Sequence, residues 1–411
     1  MKVLVINAGS SSIKYQLIDM ESEKLLAKGL VEKIGEPGSQ VTHKVNGKAY
    51  EIKQAIKVHA DGLKIVLDAL VDKEMGVISS LDEISAIGHR ILHGGGKYNK
   101  AVLATPDVIK DLKSYIPLGP LHMPANIQGI EACKEVMPGK RNVCVFDTAF
   151  HATMPDYAYM YGTPYSWCEK YGVRKYGFHG TSHEFIAGEL ARVLGKDVKD
   201  LRIISCHIGN GASLCAVQNG KCVDTSMGFT PLEGLLMGTR CGDIDPAVLE
   251  YVMDQTGMNI HEMLTTLNKK SGLLGMSEIS NDIREVIAAA DKGDEKAKLA
   301  IKKFTYTIKK YIGAYAAVMG GVDAIAFSAG TGENRAEIRE MVMDGLDYLG
   351  IDFDKDRNTN FVRGENYRIS KENSKVAVWV IPTDEELSIA RQTKAIVSKF
   401  EALDDFYAKK F

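Results

Sequence analysis

The sequence predicts an α/β protein built from two related domains. Three observations lead there. Short apolar runs alternate with helical patterns along the chain, and glycine turns sit where those runs end. A strand, glycine turn, strand device at the start also recurs roughly 200 residues later, as an internal duplication would. A length of 411 residues carries a prior of two to three domains at about 150 residues each. The boundaries read from the pattern are 1–150 and 151–381, followed by a C-terminal helical segment, 382–411.

In order, Lys2–Ile6 is a strand, Asn7-Ala8-Gly9-Ser10-Ser11-Ser12 a turn, and Ile13–Asp19 a second strand. Ala86-Ile87-Gly88 leads into His89-Arg90, and Asn142–Phe146 is a buried-type strand ending at Asp147. Leu201–Cys206 then repeats the opening strand, His207–Ser213 its glycine turn and Leu214–Val217 the return, with Asn219-Gly220 marking a hairpin. Ala297, Ile301, Phe304, Ile308, Tyr311 and Tyr315 fall three or four apart and make one face of a long helix over 295–319. Ala324–Phe327 is a strand running into a third glycine turn, Gly330–Asn334, with a helix from about Arg335. Val376–Ile381 is the last strand, and Thr383-Asp384-Glu385-Glu386 reads as a capping box opening the last helix.

Composition excludes several classes of function. Lys plus Arg (51) nearly cancels Asp plus Glu (53), leaving a net charge of −2. A general polyanion binder would carry a basic excess, so neither nucleic acid nor a membrane surface is expected as a partner. Hydrophobic residues at 45% and charged residues at 25% suit a globular chain. The seven cysteines are odd in number and include no CxxC pair. They read as buried reduced thiols of a cytoplasmic protein in preference to zinc ligands or a disulfide framework. The apolar run Val3–Ile6 is too short for a signal-peptide core.

The familiar catalytic motifs fail. No Gly-Lys pair is followed by Ser or Thr, which rules out a P-loop. Gly209-Asn210-Gly211 and Gly330-Thr331-Gly332 have Leu214 and Arg335 where a dinucleotide fingerprint needs its third glycine. His93-Gly94-Gly95-Gly96 has no nucleophile elbow to serve. His183-Glu184 and His261-Glu262 lack the second histidine of a zinc protease, with Ala187 and Thr265 in its place. What remains is three glycine turns at strand ends, where exposed N–H groups and hydroxyls suit a phosphate chain.

These residues carry a resemblance. Val3 to Lys14 and Ile203 to Leu214 resemble the two signatures of the acetate kinases. Gly88-His89-Arg90-Ile91-Leu92-His93-Gly94-Gly95, Phe146 to His151, Tyr176 to His183, Gly238 to Asp243 and Pro382 to Glu386 are similar to further motifs of that family, in the expected order. The resemblance implies the duplicated ribonuclease-H-like fold of the actin-like ATPases, two domains with a nucleotide cleft. It also implies reversible, direct in-line transfer of the ATP γ-phosphoryl to acetate, with Mg²⁺ (replaceable by Mn²⁺) and a homodimer. A propionate or butyrate kinase is the alternative within the superfamily. A nucleotide-switched binding protein is the alternative outside enzymes.

The resemblance assigns residues as well. Arg90 would hold the carboxylate, Arg240 would stabilise the transition state, His179 would hydrogen-bond the transferring phosphoryl, and Asp147 would orient Arg90 or a metal-bound water. A carboxylate acceptor is already ionised, so the chemistry needs cations and donors more than a base. Leu92, Leu121, Phe178 and Pro231 would form a methyl pocket, with His122 a further candidate beside it. Leucine at 92 replaces a valine common in the family. Lys14, His207, Ile208, Gly209, Asn210 and Gly211 are assigned to the ATP phosphates. Asp282, Ile283, Arg284, Gly330, Thr331, Gly332, Glu333 and Asn334 are assigned to the nucleoside. Asn7 and Glu385 would hold the metal, which requires the C-terminal helix, 382–411, to return to the first domain; taken alone, Glu385 reads as a first-turn carboxylate favoured by the helix dipole.

Overall fold

The computed structural model describes residues 1–120 and 122–410, with the side chains of 403–410 excepted. The chain divides into two compact units, Met1–Ala149 with Asp384–Phe411, and Phe150–Thr383. No helix among the described residues is long and apolar enough to cross a membrane.

The first unit is organised on an eight-stranded sheet. Its strands are β1 (Lys2–Ala8), β2 (Ser12–Asp19), β3 (Lys24–Glu32), β4 (Gln40–Val45), β5 (Lys48–Lys53), β6 (Ile84–Ile91), β7 (Val102–Leu103) and β8 (Arg141–Phe146), in the order β5-β4-β3-β2-β1-β6-β8-β7. The period of two in β1 sorts its side chains onto two cores. Leu4 and Ile6 pack with Leu63, Val66 and Leu67 of the helix His59–Val71 and with Ala132 and Cys133 of the helix Met123–Val136. Val3 and Val5 pack with Val143, Val145, Ile389, Ala390 and Val397, the last three on the C-terminal helix Glu385–Lys410. That helix lies so close to β6 that a Cβ on Gly88 would sit 2.4 Å from Thr393 Oγ1 and 2.9 Å from Ile389 Cγ2.

The second unit carries a six-stranded sheet of β9 (Arg202–Ile208), β10 (Ala212–Gln218), β11 (Lys221–Thr225), β12 (Ala324–Ser328), β13 (Tyr367–Arg368) and β14 (Ala377–Val380), in the order β11-β10-β9-β12-β14-β13. The sheets share a plan. In each, three antiparallel strands (β1–β3 and β9–β11) are followed by two strands parallel to the first (β6 and β8; β12 and β14), giving the orders β3-β2-β1-β6-β8 and β11-β10-β9-β12-β14. The glycine turns correspond as well. Gly9 donates its N–H to Ser12 O at 2.8 Å, and Gly209 donates to Gly211 O at 3.1 Å. Asn219 and Gly220 take φ of 55° and 75°, the left-handed pair of a tight hairpin between β10 and β11.

The long helix spans Glu295–Val318, and Asp294 caps it by accepting the Ala297 N–H. Ala297, Ile301, Phe304, Ile308 and Tyr315 are buried as the spacing predicts, whereas Tyr311 is half-buried and donates its hydroxyl to Asp243 Oδ2 at 2.8 Å.

Two local expectations are corrected. Gly330–Asn334 is not an open turn but belongs to a short helix, Ala329–Asn334, separated by Arg335 from the helix Ala336–Met343. Glu333 Oε1 closes it by accepting the Ala329 N–H at 2.8 Å, and Asn334 Nδ2 donates to Gly330 O at 2.8 Å. The cap of the C-terminal helix is Asp384 in place of Thr383. Asp384 Oδ1 accepts the Leu387 N–H at 2.9 Å, while the Thr383 hydroxyl is engaged with Ser182 Oγ at 2.7 Å.

Candidate active site

In the first unit, β6 and β8 run parallel and end together, which sets Arg90 beside the residue that follows β8. Asp147 takes Arg90 through both oxygens, Oδ1 accepting Nε–H at 3.0 Å and Oδ2 accepting Nη2–H at 2.7 Å. Asp147 is 1% exposed and Arg90 26%. Glu385, in the first turn of the C-terminal helix, lies 3.8 Å from Arg90 Nε. Burial works against the guanidinium charge, but Asp147 and Glu385 outweigh it and hold Arg90 above its ordinary pKa. The result is a fixed cation with carboxylates behind it.

The ends of β1 and β6 are joined by a residue that sequence reading missed. Asn126 donates Nδ2–H to Ala8 O and accepts the Leu92 N–H on Oδ1, both at 2.9 Å. Its signal was an amide at helical spacing from the apolar Met123 and Ile130. Leu92 packs where a Cβ on Gly119 would stand, 2.6 Å from Leu92 Cδ2 and 3.1 Å from Met123 Cγ. His122 is exposed at the start of the Met123–Val136 helix, and Leu121 lies outside the described residues. His89 is a structural histidine. It meets Asn142 Oδ1 at 2.7 Å, and burial lowers its pKa to about 4.

Asn7, half-buried at the end of β1, faces Lys14 across the hairpin, with Lys14 exposed. The donor set around Arg90 fits the Mg²⁺ that the resemblance implies. Glu385 offers a hard carboxylate oxygen and Asn7 an amide oxygen on the strand β1, and the C-terminal helix packs on that strand. Negative charge is also crowded here. Burial first, then the neighbouring Glu385 and Asp384, keep the Glu386 carboxyl above its usual range.

In the second unit His179 precedes the helix Gly180–Leu194 with φ of 57°, a left-handed conformation that favours glycine and costs a β-carbon residue about 1–2 kcal/mol. A chain of hydrogen bonds holds its ring. His179 Nδ1 meets Ser213 Oγ at 2.8 Å, Ser213 Oγ meets His183 Nε2 at 2.8 Å, and His183 Nδ1 meets Ser205 Oγ at 2.9 Å. Burial pushes His183 far below its ordinary pKa, so that ring is neutral. His179 also stacks on His207 at 4.2 Å between ring centroids, and His207 Nδ1 is held by Ser182 Oγ at 2.7 Å.

Arg240 converges on the same point. A Cβ on Gly211 would stand 3.4 Å from Arg240 Nη1 and 3.7 Å from His179 Nε2, so glycine there leaves space directly under both. Arg240 Nη1 donates to Pro231 O at 3.2 Å. Among the described residues no carboxylate pairs with it, and burial lowers its pKa. A half-buried guanidinium without a counter-ion favours an anionic ligand. Its loop is braced from outside, with Asp243 Oδ1 accepting the Gly234 N–H at 2.9 Å and Ser271 donating N–H to Thr239 O at 2.9 Å.

Next to this point lies a cavity of about 640 Å³. Gly209, Asn210, Asp282, Ile283, Arg284, Gly330, Thr331 and Asn334 line it, as the sequence assigns. Arg335 and Arg363, two cations that motif reading passed over, line it too. So does Asn281, whose Nδ2 donates to Asn210 Oδ1 at 3.1 Å. Three assigned residues also have partners within the protein. Glu333 spends one oxygen on the Ala329 and Thr383 N–H groups. Arg284 is paired with Asp282, whose carboxyl it holds down to about 2. The Phe178 ring is 1% exposed, and its carbonyl meets His151 Nε2 at 2.8 Å. Ile208 and Gly332 are buried, with a Gly332 Cβ site 3.4 Å from Ile208 Cβ.

Comparison with known proteins identifies the family. The model of the acetokinase family matches residues 2–391. An acetate kinase of Clostridium novyi (strain NT) is 56% identical over 399 residues, covering 97% of this chain and 99% of that protein. The crystal structure of Porphyromonas gingivalis acetate kinase is similar with a TM-score of 0.93 at 48% identity, over 96% of this chain and 99% of the other. A propionate kinase from Francisella tularensis superposes with a TM-score of 0.89 at 40% identity, over 96% and 99% of the two chains. Matched along nearly its whole length, the chain belongs to the acetokinase family.

Proposed function

We propose that this protein transfers the γ-phosphoryl group of ATP to acetate, reversibly, giving acetyl phosphate and ADP. The observation that carries the proposal is Arg240, a half-buried cation without a carboxylate partner among the described residues, set with His179 over Gly211.

Acetate attacks as the carboxylate. One of its oxygens forms the new bond to the γ-phosphorus while the bond from that phosphorus to the β,γ-bridging oxygen breaks, and ADP leaves with the electron pair. No proton need be abstracted, so the difficulty is bringing an anion to a polyanion. Arg90, with Nε and Nη2 engaged by Asp147, presents its Nη1 side to the acetate carboxylate. Arg240 and His179 stabilise the charge spread over the transferring oxygens, in surroundings where each such donor is worth about 3–4 kcal/mol.

The hydroxyl chain couples the tautomer of His179 to that of His183. In the sense in which Ser205 donates to His183 Nδ1, His183 Nε2–H donates to Ser213 and Ser213 to His179 Nδ1. The His179 proton is then on Nε2, the side facing Gly211. Mg²⁺, which Asn7 and Glu385 would hold, would supply charge neutralisation of the phosphate oxygens. Seven unpaired thiols suit a reducing cytoplasm, and the family resemblance supports a homodimer.

Purified protein incubated with ATP, Mg²⁺ and hydroxylamine in millimolar acetate, propionate or butyrate tests this directly. Acetohydroxamate formed with the highest kcat/KM is the expected result. Absence of any acyl hydroxamate from acetate would refute the proposal, and a higher kcat/KM for propionate would redirect it.

A further inference from the structure

A second cluster lies in the same unit, and the reaction makes no use of it. Cys215 on β10 and Cys222 on β11 face each other with 3.4 Å between their sulfurs. The register shift at Ala216/Val217 puts them diagonally across the hairpin. His151 Nδ1 completes a triangle, 3.2 Å from Cys222 Sγ and 3.9 Å from Cys215 Sγ. All three residues are fully buried.

We propose that His151, Cys215 and Cys222 form a binding site for a borderline-soft divalent cation, of which zinc is the type. The triangle has the right size. Bonds of about 2.3 Å to sulfur and about 2.0–2.1 Å to nitrogen place donor atoms in tetrahedral sites roughly 3.5–3.8 Å apart. The donors are also of the right kind, two potential thiolates and an imidazole, with no hard oxygen among them to favour magnesium or calcium. Charge balances too. Two thiolates neutralise a divalent ion, which a buried site requires.

Two features outside the triangle point the same way. His151 Nε2 meets Phe178 O at 2.8 Å, which puts the ring proton on Nε2 and turns the Nδ1 lone pair towards the sulfurs. A backbone carbonyl in that role is the usual support of a metal-bound histidine. Tyr315, on the helix Glu295–Val318, has a buried hydroxyl with no hydrogen-bond partner. It lies within electrostatic reach of both thiols, a buried oxygen left unsatisfied in the neighbourhood of the triangle.

The site also borders the reaction. Phe178, whose carbonyl His151 supports, immediately precedes His179. A bound ion would fix the His151 ring and with it the backbone entering His179.

The full-length protein, reduced and stripped with a chelator, is titrated with Cd²⁺ as the probe and followed by thiolate-to-metal absorption and by ¹¹³Cd NMR. The expected result is one equivalent bound per chain, displaced by Zn²⁺, with a chemical shift typical of two sulfur ligands and one nitrogen. Cys222→Ser and Cys215→Ala should each abolish the band. Cys206→Ser, at a buried cysteine outside the triangle, should keep it. The wild-type NMR shift is diagnostic even if a variant fails to fold. No stoichiometric binding by the wild type overturns the proposal, as does equal loss of the band in Cys206→Ser. A Cys215–Cys222 disulfide that resists reduction in the folded protein overturns it as well.

Discussion

Asp147, itself 1% exposed, grips Arg90 in a two-pronged pair, at 3.0 and 2.7 Å. The guanidinium is therefore oriented before any substrate arrives. Asp147→Asn keeps the shape but loses the charge and one acceptor. We expect kcat/KM for acetate to fall about 10²-fold, equivalent to about 2.7 kcal/mol, with the KM for ATP little changed. Steady-state kinetics with each substrate varied in turn measure it; a fall confined to ATP would contradict the role given to Arg90.

Arg240 should behave differently, because its interaction is made with the transferring group. Arg240→Ala is expected to lower kcat about 10³-fold while leaving the Kd of ATP within a few-fold. Lysine should not restore activity, since an ammonium lacks the planar donor fork. Equal loss of nucleotide affinity, read by calorimetry, would mean that the arginine is structural.

Ser213 touches no substrate in the mechanism, yet it links His183 to His179. Ser213→Ala frees the His179 ring to rotate and to change tautomer. The expected outcome is a fall in kcat of about tenfold with an altered pH profile and unchanged ATP binding. Ser213→Thr, which retains the hydroxyl, should recover part of it. An unchanged pH–rate profile in Ser213→Ala would exclude the hydroxyl chain as the orienting device.

Gly88 is a packing requirement. A methyl there would stand 2.4 Å from Thr393 Oγ1, so Gly88→Ala should destabilise the protein by about 1–3 kcal/mol. Thr393→Ala made in the same chain should recover much of that loss. Denaturation midpoints of the two single variants and the double variant test the coupling, and strictly additive losses would argue against it.

Acid should weaken the fold through its buried histidines. His89 has a folded pKa of about 4 against about 6.5 in an unfolded chain. Below 6.5 the unfolded state takes up a proton that the folded state refuses, so stability is full above that pH and declines as pH falls towards 4. The loss amounts to up to about 3 kcal/mol. Melting temperatures between pH 7 and 4.5 should fall more steeply for the wild type than for His89→Gln; parallel curves would remove His89 from the account.

Much of the cavity wall in the second unit was legible in sequence because its residues cluster locally. The glycine turn at 207–213, the Asp282-Ile283-Arg284 stretch and Gly330 to Asn334 each advertise themselves within a few residues, and members of all three line one cavity. Arg335 and Arg363 were missed because nothing in their neighbourhood distinguishes them from solvated arginines. Glu333 carries a second engagement that its motif does not show, one carboxylate oxygen holding two backbone N–H groups. Thr383, read as the first residue of a capping box, leaves the cap to Asp384, and its own hydroxyl meets Ser182, distant in sequence.

Sequence alone determined the α/β class, the duplication, the family and the identity of the charged residues, since periodicity, glycine placement and motif order are properties of neighbours along the chain. Only the tertiary structure decided how those residues are engaged. It showed that Asp147 is spent on Arg90, that Gly211 opens the space shared by His179 and Arg240, and that His183 is neutral within a chain of hydroxyls. It also gathered His151, Cys215 and Cys222, residues up to 71 positions apart, into one buried triangle. The physical reason is common to all of these. Hydrogen bonds and charges act over a few ångströms in space, and strand pairing and helix packing bring together atoms that sequence keeps far apart.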